Sequence, residues 1–240
     1  MLTYEKLKKK SREFLSATGM TQEEFEILLP NFALAYEKLY PKNLTCDGKE
    51  RQRGIGAGVK GGLSQVEDRL LFSLVYQKTN PLQTMQGLQF GLSQSQTNYW
   101  IHRLAPVLQQ TLAAIGMKPE RDASLVATNP ETLMGGANLA IDGTERRLQR
   151  PSDPIKQREK YSGKKKAHTD KNILLVNENT KKVIYLSATV EGKKHDSKVA
   201  KEAAIAYPAH ATLDKDTGFQ GYEPAGVLTM QSKKKRKVKS

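Results

Sequence analysis

The chain has one cysteine, Cys46, in 240 residues, so it forms no internal disulfide and fits a reducing compartment. No apolar run approaches the ~18 residues that a membrane span needs, so no membrane span and no membrane partner are expected. The first ten residues, MLTYEKLKKK, lack the apolar stretch of a secretory signal. No internal repeat is visible. What remains is a chain long enough for one or two domains with real cores.

Acidic residues are scarce in particular places. The formal net charge is +14, yet residues 1–145 carry 16 basic and 15 acidic groups and residues 172–230 carry 7 of each. The excess sits in residues 146–171, at +7, and in the last ten residues, at +6. Clusters of this kind attract phosphate backbones by releasing condensed counterions, although a solvated, solubilising face is the plainer reading. The run Lys233–Lys239 also has the form of a basic nuclear signal.

The first forty residues predict two helices, over about Tyr4–Ser16 and from Thr21 to about Tyr40. Thr21 and Glu24 form a capping box, with Met20 and Phe25 as its staple, and Pro30 is expected to kink or divide the second helix. Residues 1–42 are read as N-terminal helices and residues 43–63, rich in glycine, arginine and lysine, as a basic linker. Residues 64–116 predict a three-helix unit: Ser64 and Glu67 cap the first helix, Pro81 opens the second, Gly91 closes it, and Ser93 and Gln96 cap the third. Long helix, short helix, glycine turn and helix is the order of a helix-turn-helix module, and of any plain three-helix bundle. In the third helix Thr97, Trp100, Ile101 and Leu104 share a core stripe. Gln94, Ser95, Asn98, Tyr99 and His102 face away, with side chains able to reach base edges or phosphates.

After a glycine- and proline-containing connector, residues 137–230 read as an α/β domain. The expected order is a strand over Asn138–Thr144, a hairpin of strands over Lys171–Glu178 and Lys182–Val190, a helix over Asp196–Tyr207, and a strand over Thr212–Asp216. Strand, hairpin, helix, strand opens a ribonuclease-H-like fold. The fold class is therefore an N-terminal all-α helix-turn-helix region followed by a partial ribonuclease-H-like α/β domain, with 231–240 as a basic tail.

Two aspartates end strands in this scheme, Asp142 before Gly143 and Asp216 before Thr217-Gly218. Carboxylates at neighbouring strand ends suit hard divalent cations, and two such ions ~3.5–4 Å apart activate water and neutralise a leaving oxygen in phosphodiester cleavage. A lone aspartate at a strand end is also an ordinary turn residue. Glu145, three residues beyond Asp142, falls on the opposite face of a regular strand. Asp214 shares a face with Asp216, so periodicity leaves both open.

Four segments occur in order: DGTERRLQRP, YSGKKKAHTDKN, HDSK and DTGFQGY. Together they resemble the Asp-Asp-Glu transposases of bacterial insertion sequences, in which a helix-turn-helix module precedes a ribonuclease-H-like core. The resemblance covers nearly the whole chain. It implies Asp142 and Asp216 as catalytic, metal-holding residues, and its Asp-x-Gly-aromatic motif selects Asp216 over Asp214. It implies Mg2+ or Mn2+, two ions in the complete enzyme. Arg146, Arg147, Lys164, Lys165, Lys166 and His168 are implied contacts to DNA, and His195 and Asp196 match a recurrent pair whose role stays unassigned.

The resemblance further implies terminal inverted repeats and target DNA as partners, a homodimer or the product of a downstream frame as protein partners, and a bacterial cytoplasmic, nucleoid-associated location. One feature departs from that pattern. The third carboxylate is missing, since only Glu223 follows Asp216, in a turn. A fifth strand and closing helices are expected to be absent, leaving the fourth strand as an open edge. The expectation is a C-terminally truncated transposase, with a non-catalytic DNA-binding regulator or relic as the rival and a basic RNA-associated scaffold protein as a further one.

Overall fold

The computed structural model describes residues 1–44, 49–50, 62–134 and 136–231. The expected linker over 43–63 and the basic tail therefore lie largely outside the described residues. The chain divides into two compact units, Met1–Lys118 and Pro119–Ser240.

The first unit is all helical: α1 (Tyr4–Leu7), α2 (Ser11–Thr18), α3 (Gln22–Leu39), α4 (Val66–Thr79), α5 (Gln83–Phe90) and α6 (Gln94–Ala114). Where one helix was expected over Tyr4–Ser16 there are two, separated by a turn at Lys8–Lys10. The capping box at Thr21 forms as expected, with Thr21 Oγ1 accepting from the Glu24 N–H and Glu24 accepting from the Thr21 N–H. Pro30 sits inside α3 without dividing it. The expected box at Ser64 and Glu67 does not form: Gln65 is the N-cap of α4 and its side chain makes no cap bond. Arg69 takes the neighbouring carbonyls instead, donating to Leu63 O and Ser64 O.

The N-terminal helices share one core with α4, α5 and α6, built on Phe14, Phe25, Phe32, Leu70, Phe72 and Leu104. Tyr4 stacks on Phe25 and Phe14 meets that ring edge-on, the favoured geometries for aromatic pairs. Gly87 lets α5 press against the turn before α6, since a methyl group there would lie 2.5 Å from Leu92 O and 2.8 Å from Thr97 Oγ1.

The second unit is α/β. A 3-10 turn over Ala123–Thr128 and α7 (Pro130–Leu133) lead into β1 (Asn138–Arg147), α8 (Pro154–Lys160), β2 (Tyr161–Ser162), β3 (Ala167–Asn177), β4 (Val183–Leu186), β5 (Val190–Glu191), α9 (Asp196–Ala203), β6 (Thr212–Lys215) and β7 (Leu228–Gln231). β3 lies antiparallel to β1, and β4, β5 and β2 pair with β3. β6 runs parallel beside β1, and β7 runs parallel beside β6. Leu139, Ile141, Ile173, Leu175 and Leu213 share a buried face on which Val199 and Ala200 of α9 pack. The order confirms the partial ribonuclease-H-like reading.

One expectation fails here. A fifth strand is present: β7 pairs Leu228–Gln231 with Thr212–Lys215, so β6 is not an open edge. The cue was weak because LTMQ is short, half polar, and directly precedes the lysine run.

Candidate active site

β1 and β6 bring the two aspartates abreast. Their parallel register pairs Ala140 with Asp214 and Ile141 with Lys215 and stops there, so each aspartate is the next residue along: Asp216 just past the end of β6, and Asp142 in the middle of β1 rather than at its end as expected, because β1 continues to Arg147 against β3. Neighbouring strands lie ~4.7–4.9 Å apart, and side chains on one rung of a parallel pair point the same way. Asp216 keeps an extended backbone, with φ −81° and ψ 177°, as it leaves β6. Asp214 is one full pleat behind, beside Ala140. Asp142 and Asp216 are both exposed. Each carboxylate is oriented by a backbone N–H: Asp142 Oδ1 accepts from Gly143 and Asp216 Oδ1 from Gly218, both at 2.7 Å. Gln231 of β7 donates to Asp216 O at 2.8 Å, which fixes the far side of the same turn. A shallow depression lined by Ala140, Asp214, Asp216, Met230 and Gln231, but not by Asp142, opens at the ends of β6 and β7.

As donors, two exposed carboxylates that directly follow a paired rung of neighbouring strands suit a hard cation. Among the described residues no group of three or more histidine, cysteine, aspartate or glutamate side chains is placed to hold a metal. Glu223 is engaged elsewhere: it pairs with Lys215 and accepts from Thr229, and the Lys215 ammonium with the Thr229 hydroxyl holds its carboxyl below the usual range.

Beneath the aspartates lies a buried charge cluster. Glu145 is indeed on the face opposite Asp142, and the β1–β3 register sets it directly across from Lys171. Lys171 Nζ lies 2.7 Å from Asp196 Oδ1 and 3.4 Å from Glu145 Oε1, and donates to Lys194 O at 2.6 Å. Side-chain exposure is only 5% for Lys171, 5% for Glu145 and 14% for Asp196. Burial pushes the Glu145 carboxyl up, but hydrogen bonds from Ser162 and Thr169 and the Lys171 charge outweigh it and leave the carboxyl below its ordinary range. Lys171 lies within the YSGKKKAHTDKN segment, but nothing in that segment singled it out from its neighbours. His195 is exposed at the N-cap of α9 and makes no capping bond with its side chain.

The basic residues fall in two groups. Arg146 and Arg147 end β1, where Arg146 donates to Asn172 Oδ1 at 2.7 Å and Arg147 is exposed. Lys164, Lys165 and Lys166 are exposed in the turn joining β2 to β3, with Lys166 in the left-handed region at φ 49°. His168 lies across from Tyr161 at the base of that hairpin, ring centroids 5.6 Å apart.

In the helical unit α4, α5 and α6 supply the expected module. Thr97 and Leu104 are fully buried while Trp100 and Ile101 are partly buried, and Gln94, Ser95, Tyr99 and His102 are exposed with Asn98 half-buried. The Ser93–Gln96 capping box fixes the start of α6. Gln94 is tied back to Gln83 of α5 at 2.5 Å. Sequence reasoning missed Arg103, whose guanidinium lies 3.6 Å from the centre of the Tyr40 ring and within 6 Å of Tyr36 and Tyr99. It joins the exposed face of α6 to α3 by cation–π contacts.

Residues 141–239 match the family model described as DDE superfamily endonuclease, and residues 62–114 match the helix-turn-helix of DDE superfamily endonuclease. Over these two segments the chain resembles the DDE superfamily endonucleases. The first match begins on β1 one residue before Asp142, and the second spans α4, α5 and α6. The chain is also 25% identical over 174 residues to a protein of Microchaete diplosiphon described as "Probable transposase for insertion sequence element IS702". That alignment covers 72% of this chain and 59% of the relative. No solved structure matches the chain. Among the described residues no helix is long and apolar enough to cross a membrane.

Proposed function

We propose that this chain acts as an insertion-sequence transposase, binding terminal inverted repeats and cleaving phosphodiesters at their ends before joining them to target DNA. What supports this reading is the parallel β1–β6 register, whose last pair, Ile141 with Lys215, directly precedes Asp142 and Asp216. These two carboxylates would hold Mg2+ or Mn2+, which supplies an activated water and neutralises the leaving oxygen. The Gly143 and Gly218 N–H groups orient the carboxylates and Gln231 anchors the β6 turn. Arg146, Arg147, Lys164, Lys165, Lys166 and His168 give the second unit a cationic surface for the phosphate backbone. Gln94, Ser95, Asn98, Tyr99 and His102 present the exposed face of α6 to base edges and phosphates.

A second reading, a DNA-binding regulator that cuts poorly by itself, draws on the absence of a third metal-capable side chain beside the two aspartates among the described residues. One assay separates the two. A duplex carrying an element end is incubated with Mg2+ and the wild type or Asp142→Ala. Nicking by the wild type and loss in the variant support the transposase reading, since charge positioned at the reacting centre is worth about a hundredfold or more in rate. End-specific binding without nicking in either supports the regulator. Equal nicking by both removes Asp142 from the chemistry.

A further inference from the structure

Asp196 belongs to no part of the site as proposed, yet its carboxylate touches both halves of it. A methyl group placed on Gly143 would lie 2.9 Å from Asp196 Oδ1. One placed on Gly218 would lie 3.0 Å from Asp196 Oδ2 and 2.9 Å from Asp216 Oδ1. Neither glycine has the positive φ that would itself demand glycine. Both are small because a carboxylate occupies the room above them. Gly143 directly follows Asp142, and the Gly218 N–H is the group that orients Asp216.

Asp196 is itself held. Its Oδ1 is 2.7 Å from the buried Lys171 ammonium, which the Lys194 carbonyl and Glu145 also engage. Its backbone opens α9, whose Val199 and Ala200 are anchored in the core under the sheet. A rigid chain of contacts therefore runs from the β3 lysine through one carboxylate to the backbone beside each exposed aspartate.

We infer that Asp196 is a positioning residue: clamped by Lys171, it sets the spacing of Asp142 and Asp216 by filling the space over Gly143 and Gly218. The inference rests on the metal-holding role proposed for those two aspartates. Residues that orient metal ligands through a second layer of contacts typically change metal affinity by about 10–100-fold when removed.

The test is Mn2+ binding by the full chain, read from the loss of the free-ion electron paramagnetic resonance signal, with no DNA and no turnover required. The wild type, Asp142→Ala, Asp196→Ala, Gly143→Ala and the double variant Gly143→Ala with Asp196→Ala are compared. Asp142→Ala is expected to abolish binding. Asp196→Ala and Gly143→Ala are each expected to weaken it by about tenfold, and the double variant is expected to be no weaker than Asp196→Ala. That non-additivity arises because the methyl group added at position 143 no longer meets the carboxylate it would collide with. Wild-type affinity in Asp196→Ala, or penalties that simply add, overturns the inference while leaving the metal site intact. No binding by the wild type, or binding indifferent to Asp142→Ala, overturns the metal reading and the inference with it. Should Asp196→Ala not fold, Gly143→Ala removes no charged side chain and still decides: unchanged Mn2+ affinity there overturns the inference.

Discussion

The buried ammonium of Lys171 faces two carboxylates, and this imbalance has consequences for stability. Removing one partner of a buried ion pair leaves uncompensated charge, at a cost of about 3–5 kcal/mol. Lys171→Met should therefore lower the unfolding free energy of the chain by that order, measured by urea denaturation at neutral pH. The pH dependence follows from Glu145. Its carboxyl is depressed in the folded state relative to its ordinary value of 4.5, so folding favours the ionised form. The stabilisation is complete above the unfolded pKa and is lost as pH falls through the lower, folded one. Urea midpoints of the wild type should thus decline as the pH drops below about 4.5, and Glu145→Gln should flatten that part of the profile. A profile of the same steepness in the variant would remove Glu145 as its source.

Helices and strands differ in how much of their placement was written locally. The capping boxes at Thr21 and Ser93 are signals of four consecutive residues, and both form. The box at Ser64 and Glu67 has the same letters and fails, because Arg69 draws the Leu63 and Ser64 carbonyls into a different turn. The β3–β4 hairpin was legible from its two strand runs and the Asn177–Thr180 turn, but β7 was not, since its pairing with β6 depends on a return loop rather than on its own four residues. The site shows the same division. Asp142 and Asp216 were read as strand-end aspartates; Asp142 instead lies in the middle of β1, and only the β1–β6 register shows that the last paired residues, Ile141 and Lys215, directly precede the two. The ion pairs of Lys171 and the ring contacts of Arg103 to Tyr36 and Tyr40 were not readable because those partners come from other elements. At this scale the sharpest prediction concerns Gly87, where α5 meets the turn into α6. Gly87→Ala forces a methyl group to 2.5 Å from a backbone carbonyl, which cannot swing aside. Overpacking of this kind costs about 1–3 kcal/mol. The thermal midpoint should drop, and affinity for an element end should drop with it, whereas Gln89→Ala on the exposed face of the same helix should change neither.

Across the whole chain, affinity for DNA should have two separable sources. The +7 segment at 146–171 belongs to the α/β unit, while α6 offers mostly uncharged side chains from the helical unit. Contacts to phosphate release counterions and make binding depend on salt, whereas contacts to base edges carry sequence preference. Each phosphate contact contributes about 0.9 to the slope of log affinity against log salt on duplex DNA. Replacing Lys164, Lys165 and Lys166 together by alanine should reduce that slope by up to about 3, with equal loss on element-end and random duplexes. Asn98→Ala should leave the slope nearly unchanged and erase part of the preference for the element end, with each base-edge contact worth about 1–3 kcal/mol. Titrations at three salt concentrations on the two duplexes give both quantities. If the lysine variant instead lost end preference at constant slope, the hairpin turn would be reading sequence, and the division of labour between the two units would be reversed.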